Sequence, residues 1–205
     1  MKKFAELFLT LEQANQDIDK IEILREYFMN TPAEDAAWAL FLLLVWKSVP
    51  LVNSQRLKEW ATEAVDIPDW LFQKSYEAVG DLEETIALLF PNFKSLSPQS
   101  LQVWAEKRLL TLRSKSDSEK HRAVLNDWKE MDSSQRLIWN KLLSGEFQSP
   151  VTRDLVITTL VKTYDIDEQL MIKRLSLPWE PTVEFYQQLI SQDTRDVSEN
   201  HSSGN

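Results

Sequence analysis

The chain has 205 residues, 43% of them apolar, with eight Trp, three Gly, no Cys and a formal net charge of −9. That length and apolar content can bury a substantial core, and the lack of cysteine excludes disulfides, thiolate metal sites and a cysteine nucleophile. Only His121 and His201 are present, which argues against a histidine triad or a histidine-rich metal site. The acidic balance argues against a broadly basic nucleic-acid binder.

The charge is uneven. Residues 1–100 hold 9 Lys or Arg against 16 Asp or Glu, residues 101–150 hold 9 against 7, and residues 151–205 hold 5 against 9. An anionic partner is therefore best met by residues 107–141. The longest apolar run, Ala36 to Trp46, falls short of the roughly 20 residues that span a bilayer. Glu6, Glu12 and Gln13 do not fit a signal peptide. A cytoplasmic protein without a membrane partner is expected.

In chain order, helix starts recur and strand patterns are nearly absent. Thr31-Pro32-Ala33-Glu34 predicts a cap, a proline at the first helical position and a glutamate three residues after the cap. The unusually apolar helix that follows, Pro32 to about Trp46, belongs in a core. Gly80 fits the position just past a helix end, with Asp81 and Glu84 capping the next helix. Further starts are expected at Ser97-Pro98, Ser116-Asp117-Ser118-Glu119, Asp132-Ser133-Ser134-Gln135, Ser149-Pro150, Asp165-Ile166-Asp167-Glu168 and Glu180-Pro181. Helical spacing of apolar positions links them, as in Leu101, Trp104, Ala105 and Arg108. Packing is the expected role of Trp38, Trp60, Trp70, Trp104, Trp128, Trp139 and Trp179. The fold class is all-α, an irregular bundle of about a dozen short helices over residues 1–190. Residues 191–205 read as a disordered polar tail.

Few residues are arranged for chemistry. There is no glycine-rich phosphate loop, no His-Glu-x-x-His pair and no Gly-x-Ser-x-Gly elbow. Glu83 and Glu84 are adjacent, so on a helix they point apart and read as an acidic first turn. Asp165, Asp167 and Glu168 are likewise explained as a helix cap.

Several ordered stretches carry a more specific likeness. Phe4-Ala5-Glu6-Leu7-Phe8, Asp35-Ala36-Ala37-Trp38-Ala39-Leu40, Pro68-Asp69-Trp70-Leu71-Phe72 and Ser75-Tyr76-Glu77-Ala78-Val79-Gly80-Asp81-Leu82-Glu83-Glu84-Thr85-Ile86 come first. Asn140-Lys141-Leu142-Leu143-Ser144-Gly145-Glu146-Phe147 and Trp179-Glu180-Pro181-Thr182 follow. Together they resemble, over about residues 1–190, the N-terminal DNA-binding domain of ATP-dependent DNA ligases, especially the bacterial repair-type enzymes. The resemblance implies an all-helical domain that grips duplex DNA from the minor-groove side around a nick, in repair and recombination. Ligation, with its ATP and Mg, belongs in that family to a nucleotidyltransferase domain bearing Lys-x-Asp-Gly and to an OB fold. No Lys-x-Asp-Gly occurs in these 205 residues, so no cofactor is expected here. The chain is expected to be a fragment of a ligase, a truncated gene product or a stand-alone module. A catalytic domain on another chain or downstream segment is a possible partner.

The same resemblance points to corners able to meet phosphate through helix N-termini, small hydroxyls and single cations. These are Lys47 and Ser48; Gly80; and, toward the end, Lys141, Ser144, Gly145, Gln148, Thr152 and Arg153. Lys141 also fits a plain surface cation. Where relatives commonly run Phe-Arg-Val-Gly-Val-Ser, this chain has Phe147-Gln148-Ser149-Pro150-Val151-Thr152, which removes an arginine and a glycine. A second reading is accordingly a helical protein-interaction module derived from a truncated ligase.

Overall fold

A computed structural model describes residues 1–47, 49–91 and 99–192. Among the described residues the chain forms twelve α-helices and no strand, in agreement with the all-α expectation. It divides into two compact units, each made of discontinuous segments.

The first unit comprises residues 1–9 and 47–148. It holds the start of α1 (Lys2–Gln13), then α4 (Ser54–Val65), α5 (Asp69–Val79), α6 (Leu82–Leu89), α7 (Leu101–Val103), α8 (Asp117–Glu130) and α9 (Ser133–Ser144). The eight-residue α6 is central: α9 packs most extensively against it, and α4 and α5 also cover it. Thr85, Ile86 and Ala87 of α6 are buried, as are most residues of α9 from Gln135 on. Two buried polar side chains inside it, Trp128 and Asn140, are paired, as burial favours. The indole Nε1 of Trp128 donates to Asn140 Oδ1 at 2.8 Å, and Asn140 Nδ2 donates to the Glu83 carbonyl at 3.0 Å. That chain of bonds fixes α8, α9 and α6 in register. Phe147 closes the unit against Phe4 and Phe8, with ring centroids 6.3 and 5.2 Å away.

The second unit comprises residues 10–46 and, among those described, 149–192. After the end of α1 it holds α2 (Asp17–Met29), α3 (Ala33–Leu44), α10 (Arg153–Tyr164), α11 (Glu168–Ser176) and α12 (Val183–Leu189). Packing joins α10 to α2, α12 to α3 and α11 to both α10 and α12. Seven residues of α3 are buried, which suits its nearly uniform apolar sequence. Trp179 stacks on Phe185 at 4.5 Å and meets Phe41 edge-on. The Tyr164 hydroxyl donates to the Phe28 carbonyl at 3.2 Å and lies 3.1 Å from the Tyr186 hydroxyl. Arg174 donates to the carbonyls of Leu189 and Ser191, satisfying acceptors at the end of α12.

The helix starts depart from expectation where a proline was taken as the first helical residue. Pro32 occupies the cap position itself, with extended ψ, and α3 ends at Leu44 rather than near Trp46. Thr152 caps α10, three residues after Ser149, and Thr182 caps α12. Ser149 instead forms a tight local turn with Val151. Ser97-Pro98 lies outside the described residues; α7 begins after Ser100, whose hydroxyl accepts from Val103 N. Residues 101–114 do not continue as one α-helix: Trp104–Leu109 is wound as π-helix and Leu110–Ser114 as 3-10 helix. The expected polar tail falls, from residue 193 on, outside the described residues. Trp70 also departs from expectation. It is 67% exposed because α5 turns Phe72, not Trp70, inward.

Candidate nucleic-acid interface

The C-terminal end of α9 gathers most of the residues singled out above. A capping box starts the helix: Asp132 Oδ1 accepts from Gln135 N, and Gln135 Oε1 accepts from Asp132 N. The helix ends at Gly145, whose φ of +84° is a left-handed value that a side chain rarely adopts. A Cβ there would lie 2.9 Å from the Pro50 ring and 3.0 Å from its backbone nitrogen, so the 50–52 segment is seated directly on this corner. Leu51 and Val52 both donate to the Leu143 carbonyl, at 2.8 and 3.0 Å. Lys120 reaches the Leu51 carbonyl from α8 at 2.9 Å. Phe147 N donates to the Lys141 carbonyl, and the buried Ser144 hydroxyl accepts from Glu146 N.

The 80–81 corner joins the same cluster. Gly80, also at φ +84°, ends α5, and Asp81 caps α6 by accepting from Glu84 N at 2.8 Å. The other oxygen of the same carboxylate pairs with Lys141 Nζ at 2.7 Å. Burial alone would raise the Asp81 carboxyl, but the Lys141 ammonium and the Glu84 and Glu83 amides outweigh it and hold it below the ordinary range. Thus Lys47, Gly80, Lys141, Ser144, Gly145 and Gln148 all belong to the first unit, with Gly80 and Lys141 joined through Asp81. Ser48 lies outside the described residues. Thr152 and Arg153 belong to the second unit; there Thr152 Oγ1 accepts from Leu155 N and Arg153 donates to the Leu175 carbonyl at 2.9 Å.

Several of these groups are therefore already engaged within the fold. The Lys141 ammonium is held by Asp81 and mostly covered, and the Gly80 amide donates to the Tyr76 carbonyl. Lys47 and Gln148 keep exposed side chains.

The basic region, residues 107–141, also divides in two. Arg108 turns inward: it donates to Asp127 Oδ1 and Glu130 Oε2, each at 2.7 Å, and to Gln99 Oε1 at 3.1 Å, and it lies 4.1 Å over the Trp104 ring. Burial pushes the Asp127 carboxyl up to about 6 against the opposing field of Arg108. Arg136 is fully buried and donates to the Asp132 and Pro91 carbonyls. Lys107 and Arg122 remain on the exterior. Sequence spacing does not disclose this division, because Arg108 and Asp127 are 19 residues apart on separately wound segments.

No group of three or more His, Asp or Glu side chains among the described residues is placed to hold a metal ion. No helix among them is long and apolar enough to cross a membrane. The sequence pattern of the family described as DNA ligase N terminus matches residues 1–176. No curated protein matches the chain.

Proposed function

The chain belongs to the DNA ligase N-terminus family, and on that premise we propose that it holds duplex DNA around a nick, without reading base sequence, as the DNA-gripping part of ATP-dependent ligation in repair. The family match over residues 1–176 carries the reading. The clustering of the 50–52, 80–81 and 141–148 corners supports it, since such loops can position a duplex through its phosphates. Lys47 and Gln148 supply the exposed donors. Lys141, Asp81 and Gly145 hold the loops in place, and Thr152 and Arg153 cap and brace α10 and α11. Nucleotide chemistry with ATP and Mg is assigned to a catalytic domain bearing Lys-x-Asp-Gly, not to these residues.

Fluorescence anisotropy of a labelled nicked duplex, titrated with the full chain at about 50 mM salt, tests this reading. The expected result is binding of similar strength to unrelated sequences, weakening as salt rises. Absence of binding under these conditions overturns it.

A further inference from the structure

The acidic net charge leaves open what draws a polyanion to this chain, and the engagement of Lys141 and Arg153 removes two of the cations expected to do so. Residues 107–122 carry six Lys or Arg against only two acids, Asp117 and Glu119. Both acids are engaged within the fold. Asp117 pairs with Arg56, while Glu119 Oε2 accepts from the Ser116 amide at 2.9 Å and from its hydroxyl at 2.6 Å, forming the capping box of α8.

Of the six cations, Arg108 turns inward to Asp127 and Lys120 donates to the Leu51 carbonyl, which leaves Lys107, Arg113, Lys115 and Arg122. The Thr111 hydroxyl donates to the Lys107 carbonyl at 3.2 Å, and Lys115 Nζ donates to the same hydroxyl at 3.4 Å. Lys107 is exposed and Lys115 half-buried at the end of the 3-10 turn, while Arg108 between them is turned inward toward Asp127. One turn into α8, Arg122 stands three residues beyond Glu119, the spacing of neighbours on a helix face. Lys115 and Arg122 both act electrostatically on that carboxylate. Lys115 and Arg122 thus flank the start of α8, with Lys107 exposed on the preceding π-wound turn.

Resting on the DNA-holding reading above, we propose that Lys107, Lys115 and Arg122 form a phosphate-binding strip of the first unit, which tracks one strand of the duplex backbone and supplies a large part of its salt-dependent affinity. The chemistry fits a duplex backbone. The strip offers point charges on long stems without an ordered base-reading element, which favours phosphate contact over sequence recognition.

The test compares the full wild-type chain with the triple variant Lys107→Gln, Lys115→Gln, Arg122→Gln and with a charge-matched control, Lys74→Gln, Lys162→Gln, Lys173→Gln. Nicked duplex is titrated from about 50 to 200 mM salt, where each phosphate contact multiplies the loss of affinity by roughly 3.5. Losing three contacts should flatten the log–log salt slope by about 2.7, making the loss across that range about 40-fold smaller than in wild type. The control should keep the wild-type slope. Single variants Lys107→Gln and Arg122→Gln, each expected to flatten the slope by about 0.9, keep the test decisive if the triple variant does not fold. Wild-type binding with an unchanged slope in the strip variants overturns the strip alone. A strip variant no weaker than the control does the same. Failure of the wild-type chain to bind overturns the DNA-holding reading and the strip together.

Discussion

Gly80 and Gly145 end two helices of the first unit with the same backbone angle, φ +84°, yet their surroundings differ completely. A Cβ on Gly80 would meet nothing within 4 Å, whereas one on Gly145 would press on the ring and backbone of Pro50. The first glycine is required only by the local turn. The second is required by the turn and by a loop from nearly a hundred residues earlier in the chain. Identical local geometry thus conceals unequal tertiary constraint, and the two corners communicate through a third element, the Asp81–Lys141 ion pair.

The sharpest way to break this comparison is Gly145→Ala. Left-handed backbone costs about 1–2 kcal/mol for an L-residue, and overpacking against Pro50 should add roughly 1–3 kcal/mol. For a chain of this size the sum corresponds to a melting point lower by about 5–15 °C, measurable by circular dichroism. A loss no larger than that of Gly80→Ala would show that the 50–52 segment yields freely and that the two corners are equivalent.

Lys141→Met comes next. It leaves the partly covered Asp81 carboxylate without its cation, an expected loss of about 1–3 kcal/mol, toward the low end because solvent still reaches that carboxylate. The pH dependence has a defined sign. The Asp81 carboxyl is depressed in the folded state, so its contribution is fully present above the ordinary carboxylate value of about 4 and is lost as pH falls through the lower folded value. The gap between wild type and Lys141→Met should therefore be widest near neutrality and close in acid. A gap that stays constant down to about pH 3 would assign the effect to lost packing of the lysine stem rather than to the pair.

Gly80→Ala should cost only the backbone term of about 1–2 kcal/mol, less than Gly145→Ala by the overpacking term, with Gly80→Asn milder still because asparagine tolerates the left-handed region. Urea melts of Gly80→Ala and Gly145→Ala side by side measure the tertiary constraint as their difference.

Much of the helical framework was legible because it is written in local chemistry. Asp81, Ser116, Asp132 and Asp167 cap the helices they were expected to cap, since an acceptor side chain beside orphan amides is a nearest-neighbour arrangement. Prolines misled for an equally local reason: their fixed φ suits an extended approach to a helix as well as its first turn, which displaced the starts of α10 and α12. The π winding of Trp104–Leu109 escaped notice because Leu101, Trp104, Ala105 and Arg108 fit ordinary helical spacing. At the candidate interface, the resemblance pointed to corners but carried nothing on the state of their side chains. Whether Lys141 faces solvent depends on Asp81, 60 residues away, and the inward turn of Arg108 depends on Asp127. No local pattern encodes either partner. The exposure of Trp70 was hidden similarly, because its neighbours Leu71 and Phe72 made it resemble a core residue.

The interleaved order of the two units also sets a timetable for synthesis. The apolar helix α3 is complete at Leu44, but its packing partner α12 does not end until Leu189, and Phe4 and Phe8 wait for Phe147. At about 5–20 residues per second, a nascent chain carries α3 without that partner for roughly 7–30 s. For that interval the apolar side chains of α3, seven of which are buried in the finished protein, are open to a chaperone or to a neighbouring chain on the same message.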